Sequence, residues 1–344
     1  LPVLALAVLV GPLVTGSSQA ATSDVVPGSD PAALALLGGA VRAETALTYG
    51  GVEVVTDSDD RSGSDLTPDH AVANVVELTH VAGQGTVLFT GGTGAEPRAG
   101  FLDADVRRPE LLVGLLQRSY VILLGGAGSV SARPAHVVVA QRPDGQVAAR
   151  FWLDDATGLL LRREVLDPAG HTSSSVALTL VPSFVEPVAY LPPLLPTVRS
   201  ASLDHRAIAS WAAKGWPCRD RVGGLTLFDA RTVPGAGSPV LHLTYSDGLS
   251  TVSVFVQKGR LDIEDLPGAH RATVSGQGVL VVPGHPRQLL WGAGGYVLTL
   301  VADADHSVVA DVVADLPHTT GAPTGWSRVE RGLARVVSWV DPFD

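Results

Sequence analysis

Three groupings in this sequence have the residue types that chemistry requires. Asp57, Asp59 and Asp60 fall close together, as hard oxygen ligands for calcium would. An EF-hand loop starting at Asp57 needs glycine at its sixth position and glutamate at its twelfth. Ser62 and Pro68 stand there instead, so the cluster reads as a solvated loop. The ten histidines are scattered, with no H-x-x-x-H or H-E-x-x-H pair, so no zinc helix is encoded. His136 and His242 lie in apolar, strand-like stretches and read as satisfied strand histidines. The single cysteine, Cys218 in GWPC, has no matched histidine motif nearby. It reads as a small half-buried residue near a turn. No G-x-S-x-G elbow and no phosphate-binding loop occurs, and the glycine pairs in GGAGS and WGAGG do not complete G-x-G-x-x-G. Spacing leaves open only a Ser/His/Asp constellation assembled from distant segments. No cofactor and no metal ligand set is indicated.

The elements that must position these residues belong to a globular chain. Its 344 residues suggest about two domains at ~150 residues each. Hydrophobic residues make up 46% and charged residues 17%, which argues against intrinsic disorder. A net charge of −10 argues against a general nucleic-acid binder, which needs a basic footprint. One cysteine excludes a disulfide scaffold. Residues 1–16 are apolar, broken by Gly11 and Pro12, and Ser18-Gln19-Ala20 is a small-x-small site. Residues 1–20 are therefore expected to be a signal peptide lacking its basic start, cleaved after Ala20, which places the chain outside the cytoplasm.

Further along, 31–45 reads as a helix with Asp30 as N-cap and Pro31 at its first position. Alternating and β-branched stretches follow. A polar Asp57–Asp69 loop and a short helix at 109–120 interrupt them. From 121 to 184 the pattern is strand after strand, an antiparallel meander. Residues 186–202 hold four prolines and read as a stiff linker. Residues 204–214 read as a helix, 224–303 as strands and tight turns, and 305–316 as a closing helix with Asp305 as N-cap. The expected domains are 31–185 and 203–318, followed by a tail at 319–344. The fold class is mainly β with α.

Two hairpins carry the strongest local signals. Around the first turn run ARFWLDD and GLLLRREVLD; Asp154 can cap turn amides, Thr157 can bond locally, and Gly158 takes positive φ. Phe151 and Leu153 point to one face, Trp152 to the other. In the second, PVLHLTYSDGLSTVSVFVQKG, Asp247-Gly248 reads as a tight two-residue turn. Val252, Val254 and Val256 share one face.

These hairpins, in this order, resemble the MucB/RseB family of sigma-factor regulatory proteins. The resemblance rests on W-L-D-x-x-T-G-L-L-L and Y-S-D-G-L-S-x-V-S-V-F-V. It is joined by Arg133-Pro134-Ala135 before the first hairpin and the strand start at Tyr49-Gly50-Gly51-Val52. It implies an N-terminal open half-barrel packed on helices, similar to lipoprotein and lipid carriers, and a smaller α+β domain after it. It also implies a non-catalytic job: binding the exported part of a membrane-spanning anti-sigma factor, with a lipid or lipoprotein signal releasing it. The hairpin residues Trp152, Asp154, Gly158, Tyr245, Ser246, Asp247, Gly248 and Leu249 become candidates for partner contact. An acyl groove would draw on Leu111, Leu112, Leu115, Leu116, Ile122 and Leu124. A lipid or lipoprotein carrier, and an exported hydrolase without a recognisable motif, are the alternatives.

The tail, WSRVERGLARVVSWV, places Val329, Leu333, Val336, Val337 and Val340 on one helical face. Arg328, Arg331 and Arg335 lie opposite. With Trp326 and Trp339 it reads as a basic amphipathic helix that either docks on its own domain or lies on anionic lipid or the membrane-borne partner.

Overall fold

A computed structural model describes residues 26, 28–57, 72–83, 85–90, 98–103, 109–180, 202–233, 238–261, 268–282 and 287–318. The signal segment, the Asp59-Asp60 part of the acidic loop, nearly all of the Pro-rich linker and the tail with Trp326, Arg328, Arg331, Arg335 and Trp339 lie outside the described residues. The chain separates into two compact units, each built on one antiparallel sheet, and the class is α+β with strands predominating.

The first unit opens with α1 (Pro31–Ala46), whose N-cap Asp30 accepts from the amide of Ala32 at 2.8 Å. The strands are β1 (Tyr49–Asp57), β2 (Val72–Val81), β3 (Gly85–Thr90) and β4 (Arg98–Asp103). After α2 (Pro109–Ser119) come β5 (Val121–Val130), β6 (Arg133–Gln141), β7 (Val147–Asp154), β8 (Leu160–Leu166) and β9 (Thr172–Leu180). They form an open nine-stranded sheet in the order β4-β3-β2-β1-β9-β8-β7-β6-β5. The meander β5–β9 closes back on β1, with Glu53 opposite Leu178 and Val54 opposite Ala177. Alternation along the strands sends Leu78, Val138, Phe151, Leu153 and Leu161 into the core. α1 packs on α2 and on β5, β6 and β7, burying Ala33, Leu37, Ala40 and Val41; Leu115 and Leu116 are buried on α2.

The second unit holds α3 (His205–Ala213), β10 (Arg221–Val222), β11 (Leu225–Val233), β12 (Val240–Ser246), β13 (Thr251–Lys258), β14 (His270–Val274), β15 (Gln277–Val282), β16 (Arg287–Ala293), β17 (Tyr296–Asp303) and α4 (His306–Asp315). Its eight strands run β10-β11-β12-β13-β17-β16-β15-β14. One face of this sheet joins Leu241, Leu243, Tyr245, Val252, Val254 and Val256 to Val309, Val312 and Val313 of α4 in one core. Helices α3 and α4 begin at Asp204 and Asp305, whose carboxylates accept from Ala207 and from Ser307 and Val308. Four alternate residues, Val233, Val240, Phe255 and Val301, form a separate buried cluster.

One local reading changes. Pairing of β12 with β13 ends at Ser246 opposite Thr251, so the second hairpin has a four-residue loop, not a two-residue turn at Asp247-Gly248. The side chains of Ser246 and Asp247 offer the loop amides better acceptors than a tight turn does. Extending the loop also lets Leu249 turn inward, where it is 2% exposed.

Candidate functional site

The first hairpin is held by its own signature residues. Arg133, at the start of β6, grips Asp154 with two hydrogen bonds: Nε to Oδ1 at 2.9 Å and Nη2 to Oδ2 at 2.7 Å. The amide and hydroxyl of Thr157 also donate to Asp154 Oδ2, at 3.0 and 2.6 Å. Burial by itself would raise the Asp154 pKa; the bonds from Arg133 and Thr157 overcome it and hold the carboxyl below its usual range. Gly158, with φ +77°, completes the turn. The Arg-Pro-Ala and Trp-Leu-Asp stretches, separate in sequence, thus meet at one ion pair. Sequence reasoning had found the turn cap but not its arginine.

Trp152 faces the other way and is half-buried, with the guanidinium of Arg162 5.1 Å from its ring centre. A Cβ added at Gly128 would lie 2.9 Å from the indole Nε1, so the missing side chain makes room for the ring. Trp152 covers this face of the sheet.

The second hairpin is equally self-contained. Ser246 Oγ donates to the Ser250 carbonyl at 2.7 Å and accepts from the Gly248 amide at 2.9 Å. Asp247 Oδ1 accepts from Leu249 at 2.9 Å and Ser250 at 2.8 Å. Tyr245 is buried and its hydroxyl donates to the Arg219 carbonyl at 3.0 Å; burial pushes its pKa up. Across β12, the His242 ring stacks on Phe255 at 4.2 Å and its Nε2 lies 3.0 Å from Ser253 Oγ. Burial pushes the His242 pKa down to about 4. Burial also pushes the Cys218 thiol up to about 11, so it stays protonated at neutral pH and is a poor nucleophile.

The six candidate groove residues divide. Leu115, Leu116 and Ile122 are buried, Leu112 is half-buried, and Leu111 and Leu124 are exposed. A small pocket, with an interior sized for about one water molecule, lies elsewhere in the first unit. Glu44 of α1 and residues of β1, β2, β3, β8 and β9 line it, with Leu159 before β8. Its walls mix leucines, among them Leu78, Leu161 and Leu178, with three charged residues, Glu44, Glu53 and Arg163; these three are each at most 5% exposed. Beside it, His80 stacks on Tyr49 at 5.0 Å and its Nδ1 lies 2.9 Å from Thr86 Oγ1. Sequence reasoning missed this pocket. The only signal was charged residues, Glu53 and Arg163, at inward positions of their strands. Among the described residues no group of three or more His, Cys, Asp or Glu is placed to hold a metal. No described helix is long and apolar enough to cross a membrane.

No protein-family model matches the chain, and no curated protein matches it. Among solved structures, the chain is similar to a crystal structure of MucB at 18% identity and a TM-score of 0.49. That likeness covers 84% of this chain and 99% of that one. It is also similar to the MucA/MucB complex of Pseudomonas aeruginosa, at 18% identity and a TM-score of 0.47, covering 84% of this chain and 100% of that one. A LolA superfamily protein from Nitrosomonas europaea gives 9% identity and a TM-score of 0.20, covering 79% and 91% of the two chains.

Proposed function

We propose that this chain is an extracytoplasmic, non-catalytic regulator that binds the exported segment of a membrane-spanning anti-sigma factor and responds to lipid or lipoprotein. The observation that carries this reading is the pair of signature hairpins. Each folds as an adjacent antiparallel strand pair, one per unit, and Arg133 and Asp154, from two stretches of the family resemblance, bond to each other. The logic of release is linkage: a ligand that prefers the partner-free state weakens partner binding by its differential affinity. Acyl contact is assigned to the surroundings of Leu111, Leu112, Leu115, Leu116, Ile122 and Leu124. The tail is assigned a docking role on its own domain, with membrane or partner contact as the competing arrangement.

A carrier of lipid or lipoprotein is the second reading, favoured by the open antiparallel sheet of the first unit. The test is to capture the protein from detergent-solubilised membranes and identify both co-purifying proteins and extracted lipids by mass spectrometry. A single-span membrane protein that binds a sigma factor supports regulation. Lipid with no protein partner supports the carrier. Recovery of neither, with turnover of ester or peptide substrates, overturns both.

A further inference from the structure

The sheet of the second unit is buried on both faces. Strand β17 shows this most plainly, since every residue from Val297 to Ala302 is buried. Leu298, Leu300 and Ala302 point into the core that α4 closes and against which Ile208 and Trp211 of α3 pack. Thr299 and Val301 point the other way. Both helices thus lie on the first face, and among the described residues no helix of this unit lies on the second.

The second face is nonetheless withdrawn from water. Strand register lines up Leu280, Leu290, Thr299, Phe255 and His242 in one row across five strands. Leu280 is 3%, Leu290 0% and Phe255 2% exposed. Val240 and Val301 beside the row belong to the same buried cluster as Phe255. An antiparallel sheet with one covered face carries wet, polar residues on the other, so leucines this dry have a cover. The row ends in charge at both sides, at exposed Arg271 opposite Leu280 and at Arg231, which donates to Asp229. Its five central side chains are apolar or neutral. A cover must therefore be apolar where it touches them, because a charge there would be buried unpaired.

The chain supplies such a segment at the right place. Its described part ends at His318, which stacks on the Trp291 ring of β16 at 5.0 Å, and the Pro317 carbonyl accepts from the Trp291 indole at 2.9 Å. The residue before Trp291 is Leu290, the most deeply buried member of the row. Residues 319–325 can reach about 25 Å when extended. Passing from β16 round the β14 edge to the second face takes about 20 Å, two strand spacings and the depth of a packed layer. Residues 326–340 then offer Val329, Leu333, Val336, Val337 and Val340 on one helical face, with their arginines opposite. The Pro-rich stretch is placed less well. It enters the unit at Ser202, bridged to Arg231 on β11, at the far end of the row from Leu280 and Leu290.

We propose that the apolar face of 326–340 packs on the second face of this sheet, over the row from Leu280 to His242, with Arg328, Arg331 and Arg335 turned to water. The proposal rests on the docking role assigned to the tail above, and it is independent of the regulatory reading. It makes docking and lipid contact mutually exclusive, since the same five side chains serve either. The first-face core contains none of them, so the unit should fold with the tail undocked.

The test places the photo-crosslinker p-benzoylphenylalanine at Leu333 of the full chain and maps the adducts by mass spectrometry. The expected adducts are within one chain, on peptides holding Phe255, Leu290 or Val301, and the same probe at Arg331 should give none there. In parallel, deletion of 326–344 should raise hydroxyl-radical labelling of Phe255 and Leu290 about tenfold, because labelling follows accessible area. Tyr245 and Trp291, in the first-face core, should keep their labelling. Should the shortened chain fail to fold, Leu333→Asp gives the same reading. Phe255 and Leu290 that stay protected without the tail would overturn the proposal, since another segment then covers the face. Adducts confined to another surface of the second unit would also overturn it, while leaving the tail docked on its own domain. Salt-sensitive vesicle binding with no adduct inside the chain would remove both.

Discussion

At the residue scale, the two charged or titratable groups with the clearest environments act on stability in different pH ranges. Asp154 has a side chain 1% exposed and is paired with Arg133, which is 35% exposed. Removing Arg133 leaves a buried carboxylate with only the Thr157 bonds. Arg133→Ala should destabilise the first unit by about 2 kcal/mol, below the ~3–5 kcal/mol of a fully buried pair because water reaches the arginine. A urea titration of tryptophan fluorescence measures this, and a loss below a few tenths of a kcal/mol would show the pair to be ornamental. Because the Asp154 pKa lies below its unfolded value, the stabilisation is complete above the ordinary carboxylate range. It is lost as pH falls through the lowered pKa. His242 acts in a milder range. Its folded pKa of about 4 lies below the ordinary 6.5. Between those values the unfolded chain takes up a proton that the folded chain refuses. The second unit should lose up to about 2–3 kcal/mol as pH falls from 6.5 to 4. His242→Gln should flatten that slope, and a variant with the parent's pH profile would show that another group is responsible.

At the scale of the element, the turns and caps were readable because they depend on neighbours in sequence. Asp30, Asp204 and Asp305 cap the helices they precede, and Asp305→Ala should lower the melting temperature of the second unit through a loss of about 1 kcal/mol. Gly248 sits at φ +96°, a region that β-branched residues resist. Gly248→Val should therefore destabilise the second unit by about 1–3 kcal/mol, read by chemical denaturation; a variant as stable as the parent would show that the loop re-forms without the positive φ. The length of that loop was not readable. Asp-Gly is the usual sign of a two-residue hairpin, and the four-residue loop is chosen by the burial of Leu249 and the Ser246–Ser250 bond, both of which need the finished sheet around them.

For the whole molecule, the division into two compact units, each with its own sheet and core, predicts independent folding. Fragments spanning 26–185 and 202–318 should each show a cooperative thermal transition by circular dichroism. Two fragments that fold only when mixed would mean that neither core is self-sufficient. The same experiment locates the pH effects, since His242 belongs to the second fragment and Asp154 to the first. For the tail, deletion of 326–344 distinguishes its two roles. Loss of salt-sensitive vesicle binding with the fold intact supports lipid or partner contact, and a lower melting temperature with no vesicle binding in either form supports docking on the domain.

The sequence by itself determined the helices at 31–46, 109–119, 205–213 and 306–315 to within a residue or two. It also determined the strand-rich character of both units and which residues of the signature hairpins share a face. These follow from capping, from periodicities of 3.6 and 2, and from turn residues, all of which act over a few neighbouring positions. Only the tertiary structure decided that β9 returns to β1 and that Arg133 clamps Asp154 across twenty-one positions. It likewise decided that Glu44, Glu53 and Arg163 line one pocket, and that Leu124 lies exposed on β5 while Ile122, two residues earlier, is core. Each of these depends on which strands become neighbours. The order of strands is set by the burial of the sheet as a whole, and no local run of residues contains it.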